Sequence, residues 1–255
     1  MKINKLLQNT GMWRASSIDG VRRTGTPTGF SRLDRLLPGG GWPVDGITEL
    51  LHDHQGIGEL RLLAPALARL SRQQPRWLLW VGPPYVPYAP ALAHAGVDLS
   101  RVLVVTPKKQ PDILWVLEKA LASDSCSMVL AWPGSIRDKE IRRLQVASRD
   151  GHCHGILFRP GQAERQASPA ELRIRLYGLV PSALAPGSAL QLRIVKRRGG
   201  WPTEVFAVEF DDKLNQATPD FSEIPVIHNI LSTEEFALEN YPSREEWFRE
   251  TKFPE

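Results

Sequence analysis

The sequence predicts an α/β fold in which a mostly parallel sheet is flanked by helices and finished by antiparallel strands toward the C-terminus. Three observations carry this expectation. Four short apolar runs, at 77–81 (WLLWV), 101–106 (RVLVVT), 127–132 (SMVLAW) and 155–158 (GILF), do not alternate and are bounded by turn residues. Runs of that kind belong to strands buried on both faces. Stretches with helical spacing separate them, and strand–helix alternation implies right-handed crossovers and a parallel sheet. From residue 172 the pattern switches to strict alternation, the mark of strands with one solvated face.

The elements follow in order. Phe30, Leu33, Leu36 and Leu37 are spaced as on a short helix that Pro38 ends. A strand at 46–51 runs into a glycine-bearing loop and a helix over 58–73. Pro83 and Pro84 open a loop after the second strand, and further helices are expected at 89–95, 112–122 and 139–149, the last rich in arginine. The alternating segments are 172–177 (LRIRLY), 190–196 (LQLRIVK) and 205–210 (VFAVEF), joined by PSALAPGS and RRGGWPT. Beyond Phe210, DDKLNQATPDFSEIP has little periodicity and reads as extended or disordered. Residues 232–249 can form a helix carrying Phe236, Leu238, Trp247 and Phe248. The expected organisation is an N-terminal arm (1–26), an α/β domain (27–210) and an acidic C-terminal interaction tail (211–255).

The 255 residues suffice for one large domain with tails, and 42% hydrophobic residues allow a sizeable core. No apolar run approaches the roughly 18 residues of a membrane span. The N-terminus lacks the apolar stretch of a signal peptide. Two cysteines, Cys126 and Cys153, imply no disulfide framework, and a reducing cytoplasm is the expected setting. Charge is uneven. Residues 209–255 hold twelve Asp/Glu against four Lys/Arg, a net −8, which leaves +12 on residues 1–208 of a chain with net charge +4. A basic body with an acidic tail suits a nucleic acid or an acidic protein as partner, and it equally suits a plain solvated surface.

The segment 46–73 has the layout of a P-loop, strand then glycine loop then helix, whose signature is G-x-x-x-x-G-K-[ST]. The loop is degenerate. Gly56 and Gly58 remain, but His52 stands for the opening glycine, Glu59 for the lysine and Leu60 for the Ser/Thr. The lysine holds phosphate charge and the hydroxyl holds Mg²⁺. A carboxylate in the lysine's place, about 4 Å from a phosphate at an effective dielectric of about 20, opposes binding by on the order of 4 kcal/mol. The loop after the second strand, Gly82-Pro83-Pro84-Tyr85, holds no general-base acid, and the run Leu130-Ala131-Trp132-Pro133 ends without a metal-binding Asp. These absences predict a pseudo-ATPase without a cofactor, not an enzyme. The clusters His52-Asp53-His54 and His152-Cys153-His154 lack the spacing of a four-ligand zinc site, so no metal is expected.

The order of pieces resembles the RecA-like recombinase core over residues 27–210, and within it the ImuA family. The segments that carry the resemblance are TGFSRLDRLLPGGGWPVDGITEL (28–50), GIGELRL (56–62), PYAPALAHAGVDLSRVLVV (87–105), VLAWP (129–133) and VKRRGG (195–200). The resemblance implies a non-catalytic role in SOS-induced translesion DNA synthesis and mutagenesis, with ImuB and a DnaE-type error-prone polymerase as partners and RecA as a further candidate. A sister resemblance, over 76–160, is to SulA, the division inhibitor that binds FtsZ and also lacks the P-loop lysine. It supplies the alternative reading, an SOS cell-division inhibitor.

Several residues are candidates for contact. In recombinase filaments, basic residues at the places of Lys196 and Arg198 reach toward the neighbour's nucleotide, which suggests docking on RecA; a basic turn on a solvated surface is the plainer alternative. Trp13, beside Ala15 in the arm, resembles the anchor by which RecA-like proteins attach to a neighbour, or it folds onto its own core. Phe236, Trp247 and Phe248 are aromatic candidates for binding ImuB. Arg137, Lys139, Arg142 and Arg143 after the third apolar run, and Arg159 and Arg165 after the fourth, match the two DNA-binding loops of RecA. The second of these, RPGQAERQASP, has no aromatic to stack on bases, so the chain alone is expected to bind DNA weakly or not at all.

Overall fold

The computed structural model describes residues 24–182, 189–210 and 226–238. The strands are β1 (Gly46–His52), β2 (Trp77–Val81), β3 (Val102–Val105), β4 (Cys126–Ala131), β5 (His154–Pro160), β6 (Leu172–Val180), β7 (Ala189–Lys196), β8 (Phe206–Glu209) and β9 (Ile230–Leu231). The helices are α1 (Ser31–Leu36), α2 (Glu59–Gln73), α3 (Ala89–His94), α4 (Gln110–Ala122), α5 (Asp138–Asp150) and α6 (Thr233–Leu238). Among the described residues they form one sheet in the order β8-β7-β6-β1-β5-β4-β2-β3-β9.

The mixed, mostly parallel α/β architecture is as the sequence predicts. The apolar runs β2 to β5 pair in parallel, and β1 lies parallel to β5. Helices cover both faces. Leu62, Leu63 and Leu67 of α2 share one core with Leu50, Ile156 and Phe158. Trp115 and Leu121 of α4 and Ile141 and Leu144 of α5 share the other with Ile47, Leu79 and Leu157. Burial on both faces explains why these strands do not alternate.

The C-terminal part differs from expectation in two places. β6 alternates in sequence yet enters parallel to β1, and the antiparallel pairs are β6–β7 and β7–β8. Residues 226–238, read as part of a detached tail, complete the fold instead. β9 adds a parallel strand beside β3, Ile227 enters the core, and Phe236 of α6 is 9% exposed with its ring edge-on to Trp115 at 6.2 Å. Phe236 is therefore corrected from a partner anchor to a core residue.

Candidate functional site

Residues 53–58 link β1 to α2. Gly56 (φ 74) and Gly58 (φ 101) take the left-handed backbone that side chains resist. Gly58 also has no room for one: a β-carbon there would stand 3.1 Å from Leu179 Cδ2 and 3.2 Å from Phe210 Cε2. Glu59, the first residue of α2, turns its side chain back over the loop. Its Oε1 accepts the Gly56 N–H at 2.8 Å, and the residue is 6% exposed. Backbone N–H groups at a helix start attract anions, and here the anion is part of the chain. Glu59 Oε2 is buried without a hydrogen-bond partner among the described residues. Leu60 packs against the α2-face core.

The start of the loop is fixed as well. His52 is the last residue of β1, so the place of an opening glycine, counted back from Glu59, falls on Asp53 rather than on His52. His52 is buried, and its Nδ1 lies 2.9 Å from the His54 carbonyl, which makes Nδ1 the protonated nitrogen. Asp53 accepts a hydrogen bond from Arg175 of β6, which holds its carboxyl below the usual carboxylate range.

A row of aromatic rings lies beside the loop, which sequence reasoning missed. Trp132, immediately after β4, stacks on Phe158 of β5 at 4.3 Å with the planes 6° apart. Trp80 of β2 stands 5.8 Å from Trp132 on the next strand, and His52 meets Phe158 edge-on at 6.0 Å. The end of β4 is thus followed by an indole and not by a carboxylate. Part of the signal lay in the sequence, where Trp80, Trp132 and Phe158 sit near the ends of three apolar runs, but the strand order that brings them together did not.

Candidate nucleic-acid residues divide. Arg159 is corrected: it is 7% exposed and donates through Nη1 to Glu49 Oε1 at 2.5 Å. Glu49, in the middle of β1 and fully buried, also accepts Arg173 Nε at 2.6 Å and Ser168 Oγ at 3.0 Å. Arg173 in turn donates to the carbonyls of Ala163 and Gln166. This Arg–Glu–Arg group across β5, β1 and β6 therefore fastens the segment after β5 to the sheet. Arg143 pairs with Glu118 at 2.5 Å, and Arg137 donates to Glu140 in a capping box at the start of α5. Arg137, Arg142 and Arg165 are exposed.

Lys196 and Arg198 are exposed at the end of β7 and in the turn that follows, and Lys196 Nζ donates to the Ser168 carbonyl at 2.7 Å. Trp13, Trp247 and Phe248 lie outside the described residues. Cys126 and Cys153 are both buried, which pushes the Cys126 thiol up to about 12 and the Cys153 thiol well above its usual value. His154 is buried against Thr48, its Nε2 2.8 Å from the hydroxyl. No group of three or more potential metal ligands occurs among the described residues, nor a helix long and apolar enough to cross a membrane.

Comparison with known proteins places this loop inside a matched segment. The family model described as Cell division inhibitor SulA matches residues 46–155, from β1 to the start of β5. The chain is 34% identical over 113 residues to a cell division inhibitor SulA of Photorhabdus laumondii subsp. laumondii, covering 44% of this chain and 63% of that one. The chain thus spans just under two thirds of that relative's length. It is 30% identical over 120 residues to the SulA of Yersinia enterocolitica, covering 46% of this chain and 71% of that one. The crystal structure of SulA from Pseudomonas aeruginosa aligns at 28% identity over 45% of this chain and 98% of that one, with a TM-score of 0.39. On the extent of the Yersinia match, the chain belongs to the SulA family.

Proposed function

We propose that the protein is a non-catalytic, RecA-like adaptor of SOS-induced translesion synthesis, a pseudo-ATPase that acts by binding ImuB, a DnaE-type polymerase and RecA. The observation that carries the non-catalytic half is the Glu59 carboxylate seated on the Gly56 N–H. In this reading the loop is a degenerate P-loop. Its amide is engaged, the lysine's place is negative, Leu60 packs against the core and Trp132 stands where a metal carboxylate belongs, so neither phosphate nor Mg²⁺ finds a ligand.

The adaptor half is supported by how far the recombinase-like pattern extends. Its segments at 28–50 and 195–200 reach beyond residues 46–155, and β7 and β8 continue the sheet that contains β1. A chain that keeps this scaffold without its chemistry has surfaces to offer rather than a reaction. The description shared by the relatives, cell division inhibitor SulA, favours a second reading, a division inhibitor, for which the resemblance to SulA implies FtsZ as the target. Titrating the full-length protein against purified ImuB and purified FtsZ separates them. Saturable binding to ImuB with no binding to FtsZ is expected; binding to FtsZ alone would replace the adaptor by the division inhibitor.

A further inference from the structure

The turn between β7 and β8 presents an indole to solvent. Trp201 is 86% exposed, the highest value among the large hydrophobic side chains described. It follows a tight turn closed by a bridge between Arg197 and Gly200, with Gly199 at φ 68. The turn is anchored. Arg197 donates through Nη1 to the Leu36 carbonyl at the end of α1, and through Nε to the Trp201 carbonyl at 3.2 Å. Thr203 and Ile194 exchange two hydrogen bonds at 3.0 Å, the Thr203 N–H donating to the Ile194 carbonyl and the Ile194 N–H to Thr203 Oγ1. The ring is thus carried on ordered backbone, so a ligand that covers it need not order the turn itself.

Three guanidinium groups lie on the turn and on α1, the two elements that Arg197 ties together. Arg198 is in the turn itself. Arg32 and Arg35 of α1 line a depression of about 340 Å³ together with Thr203, Val205 and Phe206, and Glu204 is its one carboxylate. Arg32 lies over the Phe206 ring at 5.0 Å, while Arg35 and Arg198 form no ion pair among the described residues. Lys196, which starts the turn, holds the Ser168 carbonyl and so brings the segment of exposed Arg165 alongside.

We propose that this turn and α1 form a binding site for single-stranded nucleic acid, with a base stacked on Trp201 and phosphates held by Arg35, Arg198 and Arg32. An exposed aromatic ring on an ordered turn, with cations on that turn and on the helix tied to it, matches a ligand that alternates rings with phosphates. An acidic peptide without aromatic residues satisfies the arginines but offers the ring no π-face, whereas every base has one. The stacking residue missing from the segment 159–169 is supplied by the neighbouring turn. The inference does not rest on the adaptor reading, since it is tested with nucleic acid alone.

The test is fluorescence anisotropy of a labelled oligothymidylate of about 20 nucleotides with the full-length chain, at salt from about 50 to 200 mM. Binding is expected at low salt. Trp201→Ala weakens it about tenfold and Trp201→Phe restores most of the loss, because stacking needs a ring and not a particular one. Replacing Arg35 and Arg198 together by Ala reduces the steepness of the log–log salt dependence by about 1.4, at about 0.7 per phosphate contact. No binding by the wild-type chain, or binding that Trp201→Ala leaves unchanged, would overturn the proposal. So would equal affinity for polyglutamate of similar charge, which would assign the patch to acidic proteins.

Discussion

The Glu59 carboxylate accepts the Gly56 N–H at 2.8 Å, so the glycine loop between β1 and α2 is closed by an acid from its own helix. Removing that acid strips the loop of its internal anion and the start of α2 of a favourable charge. Glu59→Ala is expected to cost about 1 kcal/mol, the scale of a lost N-terminal cap, read as a lower urea midpoint with an unchanged slope. No gain of ATPase activity accompanies it, because Leu60 and Trp132 remain.

Glu49 is fully buried between Arg159 and Arg173. Taking away one member of such a group leaves unpaired charge in the core, so Glu49→Ala is expected to cost about 3–5 kcal/mol. Arg159→Ala should also destabilise the fold strongly, whereas Arg142→Ala on exposed α5 surface should not. Chemical denaturation of the three variants checks this ordering.

Burial lowers the His154 pKa to about 3 from 6.5. Below pH 6.5 the unfolded chain takes up a proton that the folded chain refuses. Stability is therefore constant in this respect above 6.5 and falls by about 1.4 kcal/mol per pH unit as pH drops from there toward 3. In a Thr48→Val, His154→Leu double variant that contribution disappears. The stability difference between wild type and variant, measured from pH 7 to 4, should shift in the variant's favour as the medium becomes more acidic.

Phe236 packs its ring edge-on to Trp115 at 6.2 Å and thereby ties α6 to α4. Phe236→Ala is expected to cost about 3 kcal/mol, as for a large core aromatic. A change below about 0.5 kcal/mol, the usual range for surface positions, would mean that residues 226–238 leave the body in solution.

The helix itself was expected within 232–249, and what the sequence did not show is that the segment 226–238 joins the body. Trp77–Val81 and its parallel neighbours were readable because burial on both faces leaves an uninterrupted apolar run. β9 has two residues, too few for any period to register, and its membership is decided by β3, which is distant in sequence. Arg159 misled for a related reason. An arginine after an apolar strand looks like a surface cation until Glu49, far away in the chain, is known to lie beneath it. At the loop, Glu59 and Leu60 were legible as a carboxylate and an apolar residue at the places where the P-loop signature has lysine and hydroxyl. That Glu59 then occupies the amide itself depends on a side-chain direction that no spacing encodes.

The central claim is that this loop receives no nucleotide. Equilibrium dialysis of the full-length protein against radiolabelled ATP with Mg²⁺ tests it most directly. The expected result is no saturable binding up to about 1 mM, a ceiling that corresponds to less than about 4 kcal/mol of affinity. Stoichiometric binding at micromolar ATP, lost on Gly58→Val, would contradict it.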